Sequence, residues 1–161
     1  MITAIGGFLG IFTIVLYFVL AEIFCLWKIE GGAMLTFYLG GFGSQTGIAM
    51  GVDFGPEYTE EAVLLFLCIL IIIGGAIAII GSLTEKKILG MLGGISILAG
   101  LGLLLIILGF QIGYLGELEG LIGTENLIWG SEPGVDWGLG IGFFLAVGGG
   151  FMSLIGGAFL E

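Results

Sequence analysis

The sequence predicts an all-α membrane protein, a four-transmembrane-helix bundle formed by tandem duplication of a helix–outer loop–helix hairpin. The mean hydropathy is +1.26, with 58% hydrophobic and 10% charged residues, so most side chains need lipid as their solvent. Residues Ala62–Leu83 carry no charge over 22 residues. At about 1.5 Å of helical rise per residue, such a run crosses a hydrocarbon core of roughly 30 Å. A pentapeptide that occurs twice indicates the duplication.

The first predicted helix covers residues 2–27, where Thr3, Thr13 and Glu22 interrupt the apolar run. The run is too long for a signal-peptide core and lacks a basic start, so we expect a retained transmembrane helix. Glu22 would then lie about six residues, or roughly 9 Å, inside the outer end of the helix. A carboxylate at that depth is a candidate functional group. The alternative is that Glu22 reaches the interface or pairs with Lys28 or a neighbouring polar group.

The rest of the chain alternates between acidic loops and apolar helices. Three further helices are predicted: Ala62–Leu83, residues 88–112 and residues 137–160. The connections are a first outer loop, a tight turn and a second outer loop: residues 28–61, 84–87 and 113–136. We therefore expect one integral membrane domain, residues 1–161, that crosses the bilayer four times.

The turn between the second and third helices determines the predicted orientation. Lys86 and Lys87 supply two of the three basic residues, so the positive-inside rule places this turn and both termini in the cytoplasm, with the helices in the cytoplasmic (plasma) membrane. Both long loops then lie outside, with one Lys and five acids in the first (net −4) and five acids in the second (net −5). Three tryptophans fit an aromatic belt at the outer interface: Trp27, Trp129 and Trp137.

The two outer loops share a five-residue match. Residues 51–55 (GVDFG) recur 83 residues later (134 − 51) as residues 134–138 (GVDWG). The match divides the chain into halves, approximately residues 1–85 and 88–161, related by an axis along the membrane normal. Asp53 and Asp136 are equivalent under this repeat. Each either stabilises the start of the following helix or contributes to a cation site or selectivity element at an outer vestibule.

Small residues spaced four apart predict close packing between helices. The pairs are Gly6 and Gly10, Gly90 and Gly94, and Gly138 and Gly142. This spacing lets backbones approach closely where no hydrophobic effect separates helix from lipid. The alternative is that glycine is abundant, with 34 in the chain. Because there are more such faces than one bundle buries, we expect contacts with other membrane subunits or within a homo-oligomer.

The loops resemble two families in different respects. The segment Val52-Asp53-Phe54-Gly55 followed by Tyr58, duplicated between helices, looks like the filter loops of two-pore potassium channels, which read Thr-Val-Gly-Tyr-Gly or close variants. Here Asp53 and Asp136 replace the first filter glycine, so a carboxylate stands where that family uses a backbone carbonyl. Four helices with inner termini and a long first outer loop are similar in outline to claudin-like proteins. Their loop Trp, Gly-Leu-Trp and paired cysteines are missing between residues 28 and 61, and the chain is assigned to neither family.

The residue inventory argues against catalysis. The chain has no His and, on reading the sequence, no Arg, and both cysteines, Cys25 and Cys68, fall in apolar segments where a thiol packs as a small apolar group. Nucleophile and base pairs, zinc sites and phosphate clamps lack their usual residues, so we expect no enzymatic activity, no cofactor, no metal centre and no disulfide. A net charge of −10 argues against a nucleic-acid partner.

Two functions from different classes follow from these observations. The first is a structural or accessory subunit of a larger membrane assembly, which acts through close helix packing and acidic outer loops. The alternative is a cation channel or transporter component, in which the loops concentrate cations and Glu22, Asp53 or Asp136 lines a route.

Overall fold

The computed structural model describes residues 1–31, 35–40, 44–49, 52–58, 62–110 and 126–160. The helices among these residues are α1 Ile2–Leu16, α2 Ala21–Phe24, α3 Ala62–Leu83, α4 Lys87–Gly109 and α5 Ile141–Ala158. The strands are β1 Trp27–Gly31, β2 Leu35–Leu39, β3 Ser44–Ala49, β4 Val52–Tyr58, β5 Gly130–Glu132 and β6 Val135–Leu139. Three of the described helices, α3, α4 and α5, are long and apolar enough to cross a membrane, and α1 is a shorter apolar helix of 15 residues.

The four longer helices form a closed ring in the order α1, α3, α4, α5. Each helix packs on two neighbours, so α1 stands across the ring from α4, and α3 stands across from α5. This order is the one that a twofold axis along the ring would require if α1 and α3 corresponded to α4 and α5. The duplication itself stays a prediction.

Glycines set the distance between the helices of the ring. Gly74 of α3 faces Gly93 of α4, where an added Cβ would lie 2.5 Å from the Gly74 carbonyl oxygen. A Cβ on Gly94 would lie 2.7 Å from the Gly150 carbonyl oxygen of α5. These backbones touch one another directly, which is the packing that small residues permit.

The prediction of an all-α fold is wrong, because the outer loops form an antiparallel sheet. Six strands of the described residues pair in the order β4-β3-β2-β1-β6-β5, so β1 joins strands from both loops. The physical reason is visible in β1. Trp27 and Ile29 are fully buried on one face, while Lys28 and Glu30 are half-buried on the other. This alternation with period two is typical of a strand with one face on a core.

The inner face of the sheet closes the outer end of the ring. One continuous core joins buried side chains of the sheet with those of four helices, among them Trp27, Ile29, Phe37, Ile14, Leu67, Leu104 and Phe143. Trp27 donates its Nε1–H to the Leu127 carbonyl at 2.6 Å, and Trp137 donates its own to the Asn126 carbonyl at 2.7 Å. Trp27 and Trp137 are thus core residues, unlike the predicted aromatic belt. Trp129 remains 68% exposed.

The sheet also explains where the predicted helices differ from the observed ones. The second helix agrees at both ends. The third begins one residue earlier than predicted and ends at Gly109, and residues 111–112 of the prediction lie outside the described part of the chain. The first was predicted to run to residue 27, but α1 ends at Leu16, because Tyr17 packs against Gly40 and donates its hydroxyl to the Tyr38 carbonyl at 2.8 Å. The fourth begins at Ile141 rather than 137, because Trp137 pairs with Ile29 in the sheet.

Candidate functional site

The sheet and the segment from residue 17 to residue 26 form the outer layer of the molecule, and a groove of about 530 Å³ lies between them. One wall is formed by α2 and by the link between α1 and α2, residues 17–20. The residues of this wall are aliphatic: Val19, Leu20, Ala21 and Ile23. The other wall comes from β2 and β3. It contains three side chains with hydroxyl groups, Thr36, Tyr38 and Thr46, together with Gly47 and Ile48. The volume lies within the range of about 300–1,000 Å³ that is usual for small-ligand sites. The surface of the groove is polar and apolar in nearly equal parts, with the apolar part concentrated on the first wall.

The two walls are held together by contacts between the link and the sheet. Tyr17 is 2% exposed, and its hydroxyl donates to the carbonyl of Tyr38, a residue of the opposite wall. The backbone N–H of Leu26, which follows α2, donates to the Leu39 carbonyl at 2.8 Å and ties the end of α2 to β2. The groove is therefore part of the folded structure.

Helix α2 lies beside the outer turns of α1 and α5. The Phe24 ring meets the Phe12 ring edge-on, with centroids 6.5 Å apart. Phe12 precedes the end of α1 by four residues, or about 6 Å of helical rise. A Cβ on Gly142, in the first turn of α5, would lie 2.8 Å from the Cys25 carbonyl oxygen. These contacts place the aliphatic wall at the level of the last turns of α1 and the first turn of α5.

The outward face of the sheet carries a row of acidic residues. Glu30 of β1 stands directly opposite Asp136 of β6, and the register continues through Thr36 and Ile48 to the position of Asp53. Glu30 also pairs with Lys28 on its own strand, with 2.8 Å between Nζ and Oε2. Because both side chains are about a third or more exposed, this ion pair contributes at most about 1 kcal/mol.

The row does not bring the two predicted aspartates together. Asp53 and Asp136 are separated by four strand spacings, because β4 and β6 have β3, β2 and β1 between them. At about 4.8 Å a spacing, this is roughly 19 Å. Cation ligands lie about 2–2.6 Å from the ion, so the two residues do not share one cation. Among the described residues, no group of three His, Cys, Asp or Glu side chains could hold a metal.

The structure also corrects the secondary-structure elements in which the three predicted carboxylates were expected to lie. Asp136 lies within β6, and the N-cap of α5 is Gly140 with no side-chain cap, so Asp136 does not cap this helix. Asp53 lies within β4, nine residues before α3 (62 − 53). Glu22 lies on the four-residue helix α2 and not in the first long helix. Its expected depth of roughly 9 Å within a continuous helix is therefore wrong.

The predicted packing glycines fall in three environments. Gly6, Gly10, Gly90 and Gly94 lie at contacts between helices of the ring, where an added Cβ would meet Ser153, Ile97, Gly157 and Leu154 respectively. Gly142 packs on the backbone of Phe24 and Cys25 instead of a long helix. Gly138 lies on β6 near Trp129, so it belongs to the sheet and not to a helix contact.

The pentapeptide match corresponds to a shared local structure. Val52 pairs with Ala49 and Val135 with Glu132, so each copy begins the returning strand of a hairpin. The aromatic residue of each copy stands opposite a glycine, Phe54 opposite Gly47 and Trp137 opposite Gly130. In the second hairpin, Gly134 has φ +92°, a conformation that favours glycine.

Sequence reasoning did not select Glu30 or the residues that line the groove. The alternation Trp27-Lys28-Ile29-Glu30 is a strand signal that could have placed Glu30 on an outward face. The groove had no such signal, because its walls are distant in the chain and meet only through the fold.

Cys25 lies beneath this face, next to Gly140. Burial raises the pKa of its thiol to about 11, and the charge of Lys28 opposes this shift in part. Cys25 and Cys68 exist as buried thiols rather than as a disulfide. A thiol of raised pKa is a poor nucleophile at neutral pH.

Comparisons with protein-family models, with curated proteins and with solved structures find no match to this chain.

Proposed function

We propose that the chain is an integral membrane protein that serves as a structural or accessory subunit of a larger membrane assembly. In this proposal it acts through its surfaces, with acidic outer loops facing the outside of a cytoplasmic membrane and helix faces packing against other subunits or further copies of the chain. The proposal assigns no catalytic residue, cofactor or resident metal.

The observation that carries the proposal is the packed interior of the ring. Ile14, Ile71, Ile97 and Leu104 come from α1, α3 and α4, have no exposed surface and belong to one core. The buried face of the sheet continues that core across the outer end. Among the described residues, the buried polar side chains of the ring are the hydroxyls of Thr3, Thr13 and Ser153, and no charged side chain is buried there. Thr13 and Ser153 donate to backbone carbonyls, so the interior offers mainly apolar packing where a route for ions would need polar groups. This favours a function that the protein performs through contacts of its surface with other subunits.

The ends of the ring support the proposed orientation. The Met1 amino group lies 3.5 Å from the Ser82 hydroxyl, so the N-terminus is beside the turn that holds Lys86 and Lys87. Both lysines are exposed. The sheet with Glu30 and Asp136 occupies the opposite end. The positive-inside rule then favours a cytoplasmic location for the N-terminus and the turn.

Extraction in a mild detergent, followed by mass measurement of the intact complex, tests the proposal. We expect the chain to be recovered with other subunits or in several copies, because its exposed helix faces would then be covered. Recovery as a monomer, under conditions that keep other membrane assemblies intact, would contradict the proposal.

One observation favours the alternative of a cation channel or transporter component. Glu30 and Asp136 are like charges directly opposite one another, which is unfavourable. Lys28 pairs with Glu30 and balances one of the two charges, so one negative charge remains that a cation could balance. Cation flux through reconstituted protein, compared between the native chain and Glu30→Gln with Asp136→Asn, tests this function. Glu132→Gln removes an exposed acid of β5 and serves as the control. Flux that is lost in the double variant and kept in the control would replace the accessory function.

A further inference from the structure

We propose that the groove between the link of α1 and α2 and the strands β2 and β3 binds a glycerophospholipid of the surrounding outer leaflet. Its acyl chain lies along the aliphatic wall, and its ester region faces the wall that carries hydroxyl groups. This inference rests on the membrane location given under the proposed function, and it adds a ligand site to it.

The rim of the groove is apolar and open. Phe18, Val19, Leu20 and Ile23 are 45–73% exposed, although they lie outside the four long helices. They continue the exposed apolar surface of α1, where Phe8, Phe12 and Val15 are 38–56% exposed. A contiguous exposed apolar surface marks a contact with a membrane or a partner. Because the rim extends the face that α1 turns to lipid, the bilayer itself is the medium that reaches it.

The depth of the groove agrees with this occupant. The contacts of Phe24 with Phe12, and of Cys25 with Gly142, hold α2 beside the last turns of α1 and the first turn of α5. With the membrane location and orientation of the proposed function, this end of the ring lies towards the ester and headgroup region of the outer leaflet. A ligand here meets hydrocarbon at one side of the groove and the polar sheet at the other.

The two walls match the two parts of such a lipid. Val19, Leu20 and Ile23 offer only aliphatic contacts, whereas Thr36, Tyr38 and Thr46 bring hydroxyl groups to the strand side. Among the described residues that line the groove none is charged, and the nearest described charges on the sheet, Lys28 and Glu30, neutralise one another as an ion pair on the neighbouring strand β1. The chemistry therefore suits a neutral ester and an alkyl chain better than it suits an ion or a charged metabolite.

Photolabelling in bilayers tests the site. The probe is a phosphatidylcholine with a diazirine on the acyl chain close to the ester, mixed into phosphatidylcholine vesicles that hold the protein. We expect adducts on both walls, including residues 46–48 of β3. Labelling of residues 46–48 is diagnostic, because these residues line the groove and belong to the sheet rather than to the helix ring.

Two variants fill the groove from opposite sides. Ala21→Phe should remove the adducts on residues 46–48, and Ile48→Trp should remove those on residues 46 and 47. Val19, Leu20 and Ile23 should keep adducts in both variants, because their exposed rim also faces the bilayer, and the helix adducts should be unchanged. Ala99→Phe makes the same change as the first variant on an exposed position of α4, and it should keep the native pattern. A native protein without adducts on β3, or filled variants that keep them, would overturn the inference.

The same experiment separates this inference from the proposed function. If the helices take up no label at all, the membrane location fails, and the lipid site fails with it. If the helices are labelled and β3 is not, only the lipid site fails. If β3 stays unlabelled and Ala21→Phe lowers the mass of the detergent-extracted complex, the groove seats a protein segment, which also overturns the lipid assignment.

Discussion

Cys25 lies where α2 meets the sheet, and its surroundings keep the thiol protonated. Gly140 and Gly142 pack against its backbone, and the side chain has no exposed surface. Burial disfavours the thiolate and raises the pKa to about 11, even though Lys28 acts in the other direction. The rate at which the Cys25 thiol reacts therefore reports on whether reagents can pass between α2 and the sheet.

We expect Cys25 to react slowly with a maleimide at pH 7. A thiol with a pKa near 11 has about a hundredfold less thiolate at this pH than one with a pKa near 8.5–9, and burial limits access further. Glu132→Cys, on the exposed strand β5, serves as the fast reference in the same molecule. Peptide mapping by mass gives both rates. Equal rates would show that the outer layer opens readily.

The same shift predicts how stability depends on pH. The folded pKa of Cys25 lies above its unfolded value near 9, so the unfolded chain releases this proton first as the pH rises. The contribution of Cys25 to the free energy of unfolding is therefore fully present below pH 9, and it falls as the pH rises towards 11. Unfolding in detergent at pH 8 and pH 10.5, with Cys25→Ala as the control, measures this loss. A native chain whose pH dependence equals that of the variant would contradict it.

At the scale of elements, glycine contacts set the spacing of the helices. Gly94 faces α5, and a Cβ there would lie 2.5 Å from the Leu154 backbone nitrogen. Gly102 of the same helix has no atom within 4 Å of its Cβ position. Both positions lie on α4, but Gly94 contacts α5 whereas Gly102 has open space, so Gly102 serves as the matched control.

We expect Gly94→Ala to lower the free energy of unfolding by about 1–3 kcal/mol, because α4 and α5 must move apart. Gly102→Ala should be neutral or raise it by up to about 1 kcal/mol, because alanine favours the helix and meets no neighbour. Thermal unfolding in one detergent compares the two. A stability unchanged by Gly94→Ala would show that the backbones do not touch at this point.

The elements also show how much of the fold the sequence predicts. Long uncharged runs predict α3 and α4 well, because a run of 22 residues such as Ala62–Leu83 has few other solutions. The predicted end of the first helix and the predicted start of the last helix were wrong. Tyr17 packs against the sheet, and Trp137 is part of it. Short apolar runs fit a strand or a helix equally well. Their pairing across the chain, as between Ile29 and Trp137, decides between the two.

The candidate site was less predictable than the helices. The matching pentapeptides drew attention to Asp53 and Asp136, which occupy one register row of the sheet. Their separation across the sheet, the role of Glu30 and the groove all depend on strand order. Strand order arises from contacts distant in sequence, so local patterns do not contain it.

At the scale of the whole molecule, the two ends of the ring differ in structure and charge. One end holds a tight turn in which Glu85 adopts φ 57° beside Lys86 and Lys87. The other holds the sheet, with a polar outward face and a core beneath it. The proposed function and the lipid site both require that a bilayer separates these two ends.

Labelling with a membrane-impermeant maleimide on sealed vesicles tests this requirement most directly. Glu85→Cys reports on the turn and Glu132→Cys on the sheet, and both positions are exposed. We predict that Glu132→Cys in right-side-out vesicles is labelled at once, whereas Glu85→Cys is labelled only after the vesicles are opened. Labelling of both positions from the same side would contradict the account.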